Sequence, residues 1–289
     1  MPKRFDVPLP GGRTLALGQR TLVMGVVNVT PDSFSDGGVL YDADRAVDAA
    51  LQMVEDGADL LDVGGESTRP GAQPLSTDAE LARVVPVIER LAARVSVPIS
   101  VDTYKAAVAD AALGAGAAIV NDISGLRYEP ALGAVVASRG GALILMHTRG
   151  RSSDMYRLAT YHDVVDEVLD ELRESIAFAT GAGVAMQRLL IDPGLGFAKE
   201  PSHSFEVLGR LEEFADLGRP LVVGASRKGF LTRALGREVP PLDRDWATAA
   251  TVATAVAAGA HVVRVHAVRE LAQVVRVADE IRKYHRASS

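Results

Sequence analysis

A chain of 289 residues, 48% hydrophobic and 24% charged, has the balance of an ordinary globular protein and enough length to bury a large core. Lys and Arg number 31 against 37 Asp and Glu, a net charge of −6, which argues against a nucleic-acid partner and leaves any anionic ligand to locally placed cations. The absence of cysteine excludes disulfides and thiolate zinc sites and fits a reducing compartment.

The start, MPKRFDVPLPGG, lacks an apolar core of signal-peptide length, and no run reaches membrane-spanning length, so a cytoplasmic protein is expected. Residues 1–20 hold FDVPL, PGGR and TLAL, a short β-hairpin around a Gly-Gly turn. From Thr21 a regular alternation begins. Strand-like runs fall at 22–27, 58–63, 97–101, 117–120, 142–146, 188–191, 221–224 and 261–265. Helical spacing follows each: after Asp42, from the capping box at Thr77 to about Ala93, over 104–115, near 130–138, around 164–176, near 204–217, out to about Ala258, and from Val268 to Lys283. Eight βα units without a linker predict one (β/α)₈ TIM barrel over residues 21–289, with residues 1–20 as a hairpin extension. An open doubly wound sheet is the alternative, because periodicity does not report closure.

Barrel enzymes carry their working residues where strands end. Here the ends read Asn28, Asp62, Asp102, Asn121-Asp122, Met146-His147, Asp192, Ser226-Arg227-Lys228 and Arg264/His266. One such residue would be a turn or cap signal. Eight in a row predict a convergent polar site. Two connections, NVTPDSFSDGG (28–38) and GGESTRPGAQPLST (64–77), exceed the usual βα length and read as lids. Phe34 suggests something to cover, and Arg69 beside Pro70 suits a bidentate anion contact. LVVGASRKGF (221–230) reads as an anion-facing lip, or as a plain βα turn with solvated charges.

In order, NVTPDSFSDGG, DVGGESTRPGA, VDT, NDISG, MH, DPGLGFAK, GASRKGF and VRVH closely resemble the dihydropteroate synthases of the folate pathway, from about Val23 through the final helix. The resemblance implies a (β/α)₈ barrel, usually a homodimer, that uses Mg²⁺ to condense 6-hydroxymethyl-7,8-dihydropterin diphosphate with para-aminobenzoate, and whose aminobenzoate site sulfonamides contest. It implies a pterin pocket of Asp102, Asn121, Ile123, Met146, Asp192 and Lys228. It assigns the diphosphate to Asn28, Arg69, Arg264 and His266, with Asn28 the metal ligand. The aminobenzoate falls to Phe34, Thr68, Pro70, Phe197, Ser226 and Lys228, and the catalytic work to Asp102, Lys228, Asp192 and Arg69. Position 229 is Gly where some relatives carry a polar residue, which leaves the aminobenzoate carboxylate to backbone N–H groups.

Three rival functions remain on residues alone: a methyltetrahydrofolate methyltransferase, which has no use for the Arg69 loop; a Schiff-base aldolase, which needs a lysine on a strand; and a non-catalytic pterin-binding protein. No phosphate-loop or dinucleotide fingerprint is present. No role is legible for Arg149–Tyr161.

Overall fold

The computed structural model describes residues 2–29, 39–67 and 73–284, excepting the side chains of 39–42. Strands β1 (Phe5–Pro8) and β2 (Thr14–Leu17) pair antiparallel, joined through a 3₁₀ turn at Pro10–Gly12. Eight parallel strands follow: β3 (Leu22–Asn28), β4 (Leu60–Gly64), β5 (Ile99–Asp102), β6 (Ile119–Asp122), β7 (Ala142–Met146), β8 (Leu189–Asp192), β9 (Val222–Val223) and β10 (Val262–Val265). Their order is β8-β7-β6-β5-β4-β3-β10-β9. A parallel bridge Ile191↔Leu221, with the Ile191 N–H donating to Pro220 O at 3.0 Å, joins the two ends. The ring is therefore a barrel and not an open sheet.

The helices between strands are α1 (Val39–Glu55), α2 (Thr77–Ala92), α3 (Ala106–Gly114), α4 (Ala131–Arg139), α5 (Val164–Gly181), α6 (Pro201–Gly209), α7 (Leu231–Leu235), α8 (Asp245–Ala257) and α9 (Val268–Lys283). Two expectations change here. The helix read over 204–217 is α6 followed by a 3₁₀ segment, Leu211–Leu217, with Arg210 out of helical register between them. The helical region after Phe230 breaks into the single-turn α7, ended by Gly236 at φ +66°, then a 3₁₀ turn starting at Pro241 and α8. A left-handed glycine and the Pro240-Pro241 pair stop the helix that hydrophobic spacing alone would continue.

Strand alternation splits the core in two. Val23, Val27, Leu61, Val63, Val101, Val120, Leu143, Leu145, Ile191, Val223 and Val263 pack outward with the helices. Their neighbours Met24, Leu60, Ile119, Ile144, Leu190, Val222 and Val262 form a second cluster inside the ring, together with Val7, Leu9, Leu15 and Leu17 of the hairpin. The hairpin thus plugs the amino-terminal end of the barrel. Arg188 Nη1 donates to Pro8 O at 2.9 Å, and His261 Nε2 meets Lys3 O at 2.9 Å, which fixes the plug to the wall.

Leu17 is 1% exposed inside that cluster. Leu17→Ala is expected to destabilise the fold by about 2–5 kcal/mol, read as a lower midpoint in urea unfolding with an unchanged slope.

Candidate functional site

The inward-facing rows continue two residues beyond the apolar layer, and there the chemistry changes. Leu60 is followed by Asp62, Ser100 by Asp102, Ile119 by Asn121, Ile144 by Met146, Leu190 by Asp192, and Val262 by Arg264. Strand register places these residues side by side: Gly64 opposite Asp102, Asp102 opposite Asn121, and Met146 opposite Asp192. The polar layer therefore lies at the carboxyl end of the barrel.

Arg264 organises one side of it. Its Nε donates to Asp62 Oδ2 at 2.6 Å and its Nη2 to Asp102 Oδ2 at 2.8 Å. Asn121 Nδ2 donates to the same Asp62 oxygen at 3.0 Å. Asp62 is wholly buried, and its Oδ1 has no hydrogen-bond partner among the described residues. Burial raises the Asp102 carboxyl well above its ordinary range, opposed by Arg264 and reinforced by the Asp62 charge. Two carboxylates and one guanidinium leave this cluster with an excess of acceptors, suited to a ligand edge rich in N–H donors.

Opposite stand Asp192 and Lys228. Burial also raises Asp192, whose Oδ1 accepts from the Gly194 N–H at 2.7 Å. Gly194 sits at φ +70°, and a Cβ there would lie 1.9 Å from His147 O, so no other residue fits. Lys228 Nζ donates to Leu195 O at 2.6 Å and lies 4.5 Å from the centroid of the Phe197 ring. Burial lowers the Lys228 pKa to about 8. Its predecessor Arg227 holds a left-handed φ of +59°. That costly conformation is fixed from three directions. The guanidinium pairs twice with Asp245 at 2.7 Å, the N–H donates to Thr248 Oγ1, and the carbonyl accepts from Arg244 Nη1. GASRKGF is thus a braced turn that aims Lys228 into the barrel.

The remaining expected residues distribute as follows. Ile123 and Met146 are buried, 7% and 5% exposed, which either a ring-stacking wall or plain core would give. Asn28 closes β3 and is partly exposed. Ser226 Oγ lies 2.9 Å from His266 Nδ1 and accepts from the His266 N–H at 3.2 Å, which joins two residues assigned to different substrates. Arg264 points inward to two carboxylates, and His266 follows the last residue of β10. Phe34, Thr68, Arg69 and Pro70 lie outside the described residues. The helix start expected to receive a carboxylate after Lys228 is the single-turn α7, whose dipole is correspondingly small.

Asp122 and His147 are strand-end residues that serve the fold. Asp122 caps its own turn, accepting from Ser124 and Leu126 N–H groups at 2.8 and 2.6 Å. His147 turns away into a buried network with Lys199 and Glu171. Asp62 belongs to the expected row of polar strand ends but carries no assigned role from sequence, although LLDV has the same apolar-then-acid signal as ISVDT. Among the described residues no group of three or more His, Asp or Glu could hold a metal ion. A cation here would have to take most of its oxygens from a ligand.

Comparison with known proteins supplies the context. A family model described as pterin binding enzyme matches residues 24–266. The chain is 45% identical to a dihydropteroate synthase of Synechocystis sp. over 278 residues, 96% of each chain. The structure of a Xanthomonas albilineans dihydropteroate synthase with 4-aminobenzoic acid superposes with a TM-score of 0.88 at 42% identity, covering 96% of this chain and all of that one. The same organism's enzyme in complex with 7,8-dihydropteroate gives a TM-score of 0.85 at 40% identity, with the same coverage.

Asp62→Ala removes two hydrogen bonds at once and leaves the Asn121 amide unpaired. A loss of about 3–5 kcal/mol in unfolding free energy is expected by denaturant titration, whereas a structurally idle carboxylate would cost under about 1 kcal/mol.

Proposed function

The chain belongs to the pterin-binding enzymes, and within them to the dihydropteroate synthases; from that premise we propose how its residues divide the work. The reaction joins 6-hydroxymethyl-7,8-dihydropterin diphosphate to para-aminobenzoate, giving 7,8-dihydropteroate and pyrophosphate. What carries the residue assignment is the cluster in which Arg264 ties Asp102 to Asp62 and Asn121, facing Asp192 and Lys228 across the barrel mouth.

The pterin edge presents an exocyclic amine and ring N–H donors beside a carbonyl. Asp102, Asp192 and Asn121 meet that edge, and the orphaned Asp62 Oδ1 adds an acceptor beneath it. Lys228 leaves Leu195 O to donate to the ring oxygen. Ile123 and Met146 cover the ring faces with soft apolar surface. Phe197, with Phe34, Thr68, Pro70 and Ser226, receives the aminobenzoate, and Arg69, Arg264 and His266 receive the diphosphate. The C–O bond breaks with its electron pair passing to pyrophosphate. The aniline nitrogen then attacks the exocyclic carbon and sheds its proton. An ionised Asp102 stabilises the positive charge on the pterin while the cations stabilise the leaving group. No side chain need form a covalent bond.

Mg²⁺ suits a site of this composition because it keeps several waters and takes further oxygens from phosphate. Asn28, one neutral oxygen at the mouth of β3, would hold it, and the ion would supply charge neutralisation of the departing diphosphate. Exposed apolar side chains on α8, α9 and the turn before α8 would suit a second copy of the chain. Trp246, Leu242 and Tyr284 are 88%, 70% and 80% exposed, and Val277 and Ile281 share a face of α9 with Tyr284.

Incubation with the pterin diphosphate, labelled aminobenzoate and Mg²⁺ should yield dihydropteroate; absence of product overturns the reading. The profile of kcat/KM against pH should be a bell. As pH falls, Asp102 takes up a proton well above the usual carboxylate range and activity drops. As pH rises through about 8, Lys228 loses its proton and activity drops again. A profile flat from roughly pH 6 to 9 would exclude both groups from the rate-determining chemistry. Arg69→Ala should weaken aminobenzoate binding in the presence of the diphosphate more than it weakens binding of a pterin without one. Equal losses in calorimetry would dismiss the clamp.

A further inference from the structure

The connection after β8 carries five consecutive backbone carbonyls that are each held by a side chain. Lys199 Nζ donates to Gly194 O and Phe197 O, both at 3.2 Å. Lys228 holds Leu195 O, Tyr156 OH donates to Gly196 O at 3.3 Å, and Tyr161 OH to Ala198 O at 2.8 Å. Ordinary surface loops leave such groups to water. A loop fixed atom by atom is a template.

Lys199 is the least expected of these donors. It is 1% exposed, and among the described residues no carboxylate lies within hydrogen-bond reach of its ammonium. A buried cation held only by neutral groups is costly, and burial lowers its pKa to about 7. Its third partner is His147 Nδ1 at 2.8 Å. Burial and the neighbouring Lys199 charge depress the His147 pKa to about 3, so the ring is neutral; Nδ1 accepts, and Nε2–H donates to Glu171 Oε2 at 3.2 Å. Glu171 is anchored by Arg127 and Arg149, and the Arg149 guanidinium lies 4.0 Å from the Tyr161 ring centroid. The pieces form one scaffold behind the loop, and the segment 149–161 is part of it.

We infer that Lys199 is a positioning residue for the second substrate: by holding Gly194 O and Phe197 O from behind, on a base of His147 and Glu171, it sets Phe197 against the aminobenzoate ring. This rests on the placement of aminobenzoate at Phe197 proposed above. Lys199 touches no reacting atom. A misplaced aromatic wall would lose the near-attack geometry of a weak nucleophile.

The test measures both Michaelis constants, kcat, and calorimetric binding of the pterin without diphosphate, for Lys199→Met, Lys199→Gln and Phe197→Ala. Lys199→Met should raise KM for aminobenzoate by about 10- to 100-fold while KM for the pterin diphosphate and pterin binding stay within about threefold. Lys199→Gln, which keeps an N–H donor, should retain part of the wild-type value. Phe197→Ala separates the two claims. If it leaves the aminobenzoate KM unchanged, the underlying placement of that substrate fails. If it raises that KM but the Lys199 variants do not, the positioning role fails. Parallel loss toward both substrates, or failure of both Lys199 variants to fold, overturns the proposal by showing that Lys199 serves the fold alone.

Discussion

A guanidinium shared between a buried and a partly buried carboxylate is the constraint on which the carboxyl end of this barrel depends. Arg264 cannot lose its charge, and Asp62 is wholly enclosed, so each requires the other inside the ring. Asp102 then has half a partner, since Arg264 is already committed to Asp62 through Nε. Its carboxyl is accordingly held near the balance between neutral and ionised, raised by burial and restrained by Arg264. A ligand that donates N–H groups to Asp102 and to the unpartnered Asp62 oxygen completes a set of bonds that the protein alone leaves open. The proposed recognition of a nitrogen-rich ring would follow from that packing of the core.

The second constraint is the seam between β8 and β9. Other neighbouring strands share ladders of two to five paired residues, whereas this junction has a single bridge, because β9 is only Val222–Val223. A weak seam beside a binding site needs other ties. Lys228 supplies one by reaching from the turn after β9 to Leu195 O after β8. When Lys228 turns to a ligand that tie is released, and the loop must be held from elsewhere. The hydroxyls of Tyr156 and Tyr161 and the ammonium of Lys199 remain in place on the far side. Arg227, clamped at positive φ by Asp245, Thr248 and Arg244, holds the other bank of the seam. The site thus sits where the barrel is least held by sheet hydrogen bonds and most held by side chains.

Much of this was legible in the sequence because β-strands have a period of two. Apolar runs ending in an acid or amide, as in LLID, ISVD and AIVND, announce both a strand and its polar end. What the pattern does not carry is the direction of the last side chain. Asp122 follows Asn121 by one residue and therefore points away from the pocket, where it caps a turn, while Asp62 points in. Asp62 and Asp122 look alike in sequence and differ only in strand phase. Helix ends depart from the apolar pattern where a left-handed Gly236 or the break at Arg210 interrupts it. The role of 149–161 is invisible in sequence because the contacts that tie it to the loop, Arg149 to Glu171 and the two tyrosines to the 196–198 backbone, span 22 to 40 positions and follow no period.

Strand phase also explains why the molecule divides its two ends so sharply. Inside the ring, the row Met24, Leu60, Ile119, Ile144, Leu190, Val222 and Val262 is apolar, with Ser100 of β5 its one polar member, and it needs a lid because a barrel bottom otherwise opens to water. The hairpin provides one with four further apolar side chains. Two residues along, β4, β5, β6, β8 and β10 present Asp62, Asp102, Asn121, Asp192 and Arg264, while β3 and β7 keep the apolar Val26 and Met146 and Gly224 of β9 contributes no side chain at all. A dry floor directly beneath a charged layer lowers the local dielectric and strengthens every interaction above it. It raises the carboxyls of Asp102 and Asp192 and lowers the ammonium of Lys228, so that groups of ordinary chemistry titrate closer to neutrality. The plug at one end of the barrel and the reactive groups at the other are consequences of the same alternating pattern.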